Sequence, residues 1–320
     1  MFYRIYKPEV FQGSLKRKKY FEGWYFKHVN IEGSHIISVI PGVSITRNEP
    51  HSFVQILDSD TGQSSYISYS LNEFRWNRRK FLIEIGPNVF TRDFIDLNIE
   101  SNNTSLKGHL SYQNSVGYPG KLLSPGIMGW YSFVPFMECN HGIVSVIHEI
   151  AGKLEFQGNE IDFTQGKGYI EKDWGTSFPE AWIWMQSNNF KEPYTSFSFS
   201  IAKIPWLGSY FMGFISFFFF SGKFYLFSTY NGSVVTELTH DDRNIHLTVR
   251  NKKYRLHIKV ISNSFSELKA PVSGVMSRTI NESPDSEIHL ELFDNPGRLI
   301  YSGNGQCAGL EIIDKIFDYI

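Results

Sequence analysis

The chain has 320 residues, of which 42% are apolar and 20% charged, with a formal net charge of −1. That near-neutrality excludes the strongly basic face of a nucleic-acid binder, and the length suits two domains of roughly 100–200 residues each. The 28 Phe, 17 Tyr and 7 Trp favour half-buried pleated surfaces and sites for apolar ligands.

The opening stretch, MFYRIYKPEVFQGS, lacks the uninterrupted apolar run of a signal peptide. Only Cys139 and Cys307 are present, so neither a disulfide framework nor a CxxC signature is expected. Both points lead to the expectation of a cytoplasmic protein. The basic run Lys16-Arg17-Lys18-Lys19 reads as a solvated loop. Its alternative is contact with an anionic membrane, which would place the protein at the inner membrane face.

From KKYFEGWYFKH (18–28) onward, strand signals dominate. SFVQIL (52–57), DFIDLNIES (93–101), NIHLTVRN (244–251), YRLHIKVIS (254–262) and EIHLELFD (287–294) are apolar or alternate at period 2. DSDTG (58–62), YNGS (230–233) and DNPG (294–297) between them read as turns. The most apolar run, FMGFISFFFFSGKFYLF (211–227), is broken by Ser216, Ser221, Gly222 and Lys223, and is too interrupted for a membrane helix. Only the tail GLEIIDKIFDYI (309–320) has helical spacing, with a final strand as its alternative. Short strands at regular spacing predict an all-β fold of antiparallel barrels or sandwiches.

The two halves echo each other. A strand around Trp24 leads to Ile40-Pro41, and a strand around Trp184 leads to Ile204-Pro205, each followed by another apolar strand. This order predicts two similar β-domains in tandem, over residues 1–160 and 161–320.

Nucleotide and serine-hydrolase signatures are missing, and His148-Glu149 lacks the second His of a zinc protease because Gly152 stands in its place. No metal site is expected. Three clusters place acids among aromatics: Glu22 beside Trp24 and Tyr25; Glu138, Cys139 and His141 after Trp130; and Glu171, Lys172 and Asp173 before Trp174, Trp182 and Trp184. A carboxyl in an apolar wall holds its proton towards neutrality, and aromatic faces stabilise a cation. Together they suit protonation of an alkene. The same acids could equally bond backbone N–H groups or a Lys. Alternation puts Glu171 and Asp173 on one face of a strand and Lys172 on the other.

FEGWYFK (21–27), GIMGWYSFVPFMECNHGIVS (126–145), GYIEKDWGTSFPEAWIWMQSN (168–188), LKAPVSGVM (268–276) and AGLEI (308–312) resemble, in order, segments of the tocopherol cyclase family. That family resembles, more distantly, lipocalin-like proteins that include carotenoid hydratases. The resemblance implies two lipocalin-like barrels. It also implies closure of a chromanol ring by addition of a hydroquinone oxygen to a prenyl double bond, without a cofactor. In the related hydratases an Asp/His-Trp-Gly segment carries the comparable site; here that place reads Glu171-Lys172-Asp173-Trp174-Gly175, with Lys172 where a His is expected.

On this reading Asp173 or Glu171 donates the proton, and Trp174, Trp182 or Trp184 faces the cation. Glu22, Glu138 or His141 accepts the phenolic proton, while Trp24, Tyr25 and Trp130 complete the substrate wall. The expected partner is a hydrophobic small molecule, a prenylated quinol or another isoprenoid, collected by peripheral membrane contact. Two alternatives stand beside it: a lipocalin-like carrier without chemistry, and an isoprenoid hydratase.

Overall fold

A computed structural model describes residues 2–101, 103–241 and 244–319. The chain forms two compact units, Met1–Phe178 with Glu267–Ile280, and Pro179–Ser266 with Asn281–Ile320. Each is built on one antiparallel sheet, so the all-β expectation holds.

The first unit contains β1 (Lys19–Val29), β2 (Ile36–Thr46), β3 (His51–Asp58), β4 (Ser64–Ser70), β5 (Phe74–Trp76) and β6 (Leu82–Ile85). It continues with β7 (Asn88–Thr91), β8 (Phe94–Ser101), β9 (Thr104–Val116), β10 (Cys139–Phe156), β11 (Asn159–Asp162) and β12 (Lys167–Gly175). Their order is β4-β3-β2-β1-β12-β10-β9-β8-β7-β6-β5, with β11 on β10. The strands form because apolar residues recur at every second position: in β8, Ile95, Leu97 and Ile99 are turned inward. The sheet curls until remote strands touch. Ser65 Oγ on β4 lies 2.5 Å from Thr104 Oγ1 on β9, and Asn88 on β7 donates to Tyr69 OH on β4 at 3.2 Å. Trp24, Phe26, Val39, Ile56, Phe90 and Ile170 belong to the core it encloses. Phe11 belongs to the same core, its ring edge-on to Phe74 and Trp76.

The second unit contains β13 (Trp182–Ser187), β14 (Asn189–Phe190), β15 (Ser196–Trp206), β16 (Ser209–Phe220), β17 (Lys223–Ser228) and β18 (Val234–His240). β19 (Asn244–Arg250), β20 (Tyr254–Ile261), β21 (Ser266–Val272), β22 (Val275–Asp294) and β23 (Leu299–Ile312) follow in the same sheet, although Glu267–Ile280, which takes in most of β21 and the start of β22, belongs to the first unit. The order is β17-β16-β15-β13-β23-β22-β20-β19-β18. This sheet also curls: Lys223 on β17 donates to Tyr254 OH on β20 at 2.7 Å. In both sheets a first strand lies beside the last one, β1 beside β12 and β13 beside β23, and a meander of three strands follows on its other side. Trp24 and Trp184 therefore sit on matching strands. Their neighbours differ, however, because Pro41 follows seventeen residues after Trp24 and Pro205 twenty-one after Trp184.

The division differs from a cut at residue 160. β12 is hydrogen-bonded between β1 and β10 and is buried over most of its length, so it cannot leave the first sheet. The turn of the β21–β22 hairpin likewise belongs to the first unit. Gln55 exchanges hydrogen bonds with the Lys269 backbone at 3.0 and 2.8 Å, and Ser44 Oγ donates to Gly274 O at 2.7 Å. The tail is strand to Ile312 and a 3-10 turn over Asp314–Tyr319, while Ile320 lies outside the described residues. Among the described residues no helix is long and apolar enough to cross a membrane.

Candidate active site

β12 carries the site. Its alternation sends Tyr169, Glu171 and Asp173 to one face and Gly168, Ile170, Lys172 and Trp174 to the other. Register then recruits partners: Tyr25 and Ile143 stand opposite Glu171, Gly23 and His141 opposite Asp173, and Lys27 opposite Tyr169. Gly175 lets β10 begin this close, since a Cβ there would fall 2.1 Å from the Glu138 carbonyl oxygen. Two register shifts in β10 between Ile143 and His148 then separate its histidines. His141 shares a face with Asp173, whereas His148 pairs with Gly168 on the inner face.

The result is a connected row. His141 Nδ1 lies 2.9 Å from Asp173 Oδ1, and its Nε2 lies 3.5 Å from Glu171 Oε2, an ion-pair distance. Tyr169 OH donates to the same Glu171 oxygen at 2.6 Å. Exposure grades along it: the Glu171 side chain is 5% exposed, His141 12% and Asp173 25%. The row is thus open at Asp173 and closed at Tyr169. Burial, followed by the charges of Asp173 and Glu138, pushes the Cys139 thiol well up, which keeps it protonated and unsuited to nucleophilic attack. Burial also raises the Glu138 carboxyl. His141, Glu171 and Asp173 each offer one ligand atom, all within 4.8 Å of one another. Such a nitrogen and two oxygens suit a first-row divalent transition ion as well as a shared proton.

On the reverse face Lys172 is fully buried. It pairs with Glu22, donates to Pro8 O at 2.7 Å and Val10 O at 2.6 Å, and lies 4.7 and 4.8 Å from the Trp24 and Trp174 ring centres. Burial lowers its ammonium while Glu22 opposes that shift. Glu22 accepts further bonds from Gln12 N, Gly13 N and Tyr20 OH.

Only part of the expected set is therefore assembled. Asp173, Glu171 and His141 meet, with Tyr25 opposite Glu171 and Glu138 adjoining through Cys139. Glu22 is enclosed on the other face, its oxygens taken by backbone N–H groups, Tyr20 and Lys172. Trp24 is a core residue: it is buried, donates to Glu9 O at 2.8 Å and is stacked on Phe81. Trp174 lies on the Lys172 face, and Trp130 is exposed on the loop before β10. Trp182 and Trp184 belong to the second unit, where Trp182 Nε1 donates to Glu311 at 2.7 Å.

A family model described as tocopherol cyclase-like matches residues 96–313, a stretch that holds His141, Glu171 and Asp173. The chain belongs to the tocopherol cyclase-like family. It is 24% identical over 195 residues to a probable chloroplastic tocopherol cyclase of Oryza sativa subsp. japonica, covering 58% of this chain and 41% of that protein. A chloroplastic tocopherol cyclase of Zea mays is 36% identical over 62 residues, covering 19% and 13% respectively. The matches thus span less than half the length of these curated relatives.

The fold has solved counterparts. CghA, determined with Sch210972, superposes with a TM-score of 0.56 at 11% identity over 92% of this chain and 88% of that one. A candidate AttH of Nitrosomonas europaea gives 0.53 at 13% identity over 95% and 93%.

Tyr169, bonded to Glu171, and Lys27, opposite Tyr169 in the register, are the residues along this row that sequence reasoning misses. Each stands two residues from a recognised one, Tyr169 from Glu171 and Lys27 from Tyr25. Period-2 spacing could have found them once the pairing of β1 with β12 was known.

Proposed function

We propose that the chain is an acid–base catalyst of the tocopherol cyclase type, closing a ring on a prenylated hydroquinone. The observation that carries this reading is His141 held between Asp173 and Glu171 on one face of the GYIEKDWG strand. The Asp173–His141 end, being the open one, delivers a proton to the less substituted alkene carbon. The phenolic oxygen attacks the tertiary carbon, and its proton returns to the row at Glu171, beside Tyr169. No atom is gained or lost, so the product is an isomer of the substrate. The names of the plant relatives support a hydrophobic, prenyl-bearing small molecule as ligand, drawn from a lipid phase.

The test incubates the purified chain with a prenylated hydroquinone and resolves products by chromatography and mass. An isomeric chromanol is expected, carrying one solvent deuterium when formed in D2O. Asp173→Asn and His141→Gln should each slow turnover by about 100- to 10,000-fold while ligand binding persists. A product heavier by one water would reassign the chemistry to hydration. Binding without product would make the chain a carrier. Activity removed by a chelator and restored by a divalent ion would turn the three side chains into metal ligands.

A further inference from the structure

Between β9 and β10 the chain makes a long excursion, GYPGKLLSPGIMGWYSFVPFME (117–138), in which Lys121 and Glu138 are the only charged residues. Part of it is turned outward against the usual rule. Lys121 and Ser124 exchange backbone hydrogen bonds at 2.8 and 3.0 Å, closing a two-residue turn whose central residues are Leu122 and Leu123. Neither has a positive φ, so the turn itself admits leucine; what is unusual is that both side chains are turned to solvent, 77% and 78% exposed. Tyr6 OH donates to Leu122 O at 2.7 Å and pins the tip to the N-terminal segment. Farther along, Trp130, Phe133 and Phe136 are 45%, 38% and 57% exposed, and Trp130 is stacked on Tyr131 with ring centres 4.1 Å apart.

We infer that this excursion is a lipid-inserting wedge that docks the protein on an anionic membrane surface. Two leucines on a convex tip are covered on every side only by a medium that closes around them. Acyl chains do so without a matching pocket. Trp and Tyr suit the headgroup boundary, and exposed Lys121 beside the tip suits lipid phosphates. The excursion carries no acid before Glu138 at its end, so nothing from the leucine tip to Phe136 repels an anionic leaflet. It runs directly into Cys139 and His141, placing the docked segment next in the chain to the row described above. This extends the reading of that row as an isoprenoid site, but its test needs no substrate.

Full-length protein is sedimented with mixed phosphatidylcholine–phosphatidylglycerol vesicles. Wild type should pellet, and L122S/L123S should bind about 100-fold more weakly, the loss of two buried leucines. Its thermal melt should match wild type, because both side chains are exposed. Brominated acyl chains should quench wild-type tryptophan fluorescence, and less so in W130F. Wild type that stays in the supernatant, or a double variant that pellets equally, overturns the wedge. So does a wild type that is dimeric in lipid-free buffer, ignores vesicles and becomes monomeric in L122S/L123S, since the tip would then pack against a second copy.

Discussion

The two units share a strand order around their first and last strands but bury very different groups. In the first, Glu22, Lys27, His28, Asp58, His148, Glu171 and Lys172 are buried acids and bases; among the described residues of the second, Glu282 alone is. Their apolar cores are alike in Phe, with Phe11, Phe26, Phe74, Phe81, Phe90 and Phe163 in the first and Phe190, Phe197, Phe199, Phe214, Phe218 and Phe227 in the second, so the difference lies in the buried charges. Apolar alternation with suitable turns is therefore enough for this topology. Ionisable groups are costly to bury, so those of the first unit answer to something other than the fold. Two of them, Glu171 and the strand-setting Lys172, lie on β12 itself.

The comparison breaks most visibly at Lys172. Replacing it by Met leaves Glu22 buried beside Tyr20 and two backbone N–H groups but without its cation. Removing one partner of such a pair costs about 3–5 kcal/mol. The urea midpoint should fall accordingly, and the double variant Glu22→Gln/Lys172→Met should recover much of the loss, a non-additivity that a double-mutant cycle reads directly. A single variant as stable as wild type would mean that the pair does not hold β12 to the Pro8–Val10 segment.

Acid should act through the same asymmetry. His28 is fully buried, its Nδ1 donating to Ile37 O at 3.1 Å and its Nε2 accepting from Tyr112 OH at 2.7 Å. Burial, opposed by the Ile37 carbonyl, lowers its pKa to about 4. The folded state thus binds this proton less readily than the unfolded chain, whose His titrates near 6.5. The group's contribution is complete above pH ~6.5 and is lost as pH falls towards ~4, a change of roughly 3 kcal/mol. His148 is shifted the same way by burial and by His28. Stability measured against pH should show this limb in wild type and a shallower one in His28→Phe. Identical limbs would remove His28 from the account.

Sequence alone carries much of this, though unevenly. Alternation in segments such as 93–101 and 254–262 gives strands and their inward faces, because side-chain direction in a strand is local. It also places Glu171 and Asp173 together. What alternation lacks is the partner strand. Glu22 and Glu171 look alike in sequence, each an acid near Trp, but Glu22 faces the core and Gln12 N while Glu171 faces His141. The faces of His141 and His148 depend on the register shifts in β10, which no composition reveals. The return of the β21–β22 hairpin to the first unit rests on contacts more than 200 residues apart in the chain, such as Gln55 with Lys269, and is equally invisible.

The smallest expected effect probes a gap rather than a group. Gly168 pairs with His28 on β1 and His148 on β10, so it lies between two buried imidazoles on the inner face. A methyl built on it would fall 2.0 Å from His148 Nε2 and 2.7 Å from Cδ2 and Cε1. The clash is with a side chain, but that ring is itself packed on Tyr112 at 4.3 Å between centres and held by Ser145 Oγ, 3.0 Å from Nδ1, so it cannot swing aside freely. Replacing a strand glycine by alanine ordinarily gains about 0.5–1 kcal/mol through the unfolded chain. Crowding a packed core costs about 1–3 kcal/mol. The clash should prevail, leaving Gly168→Ala roughly 1 kcal/mol less stable in urea. Shrinking the obstacle should then reverse the sign: in a His148→Ala background Gly168→Ala should be neutral or stabilising. A wild-type-like Gly168→Ala would show that His148 has room to move. The two histidines would then no longer mark the first unit's interior as more tightly specified than the second's, whose central strands β13 and β23 contain no histidine.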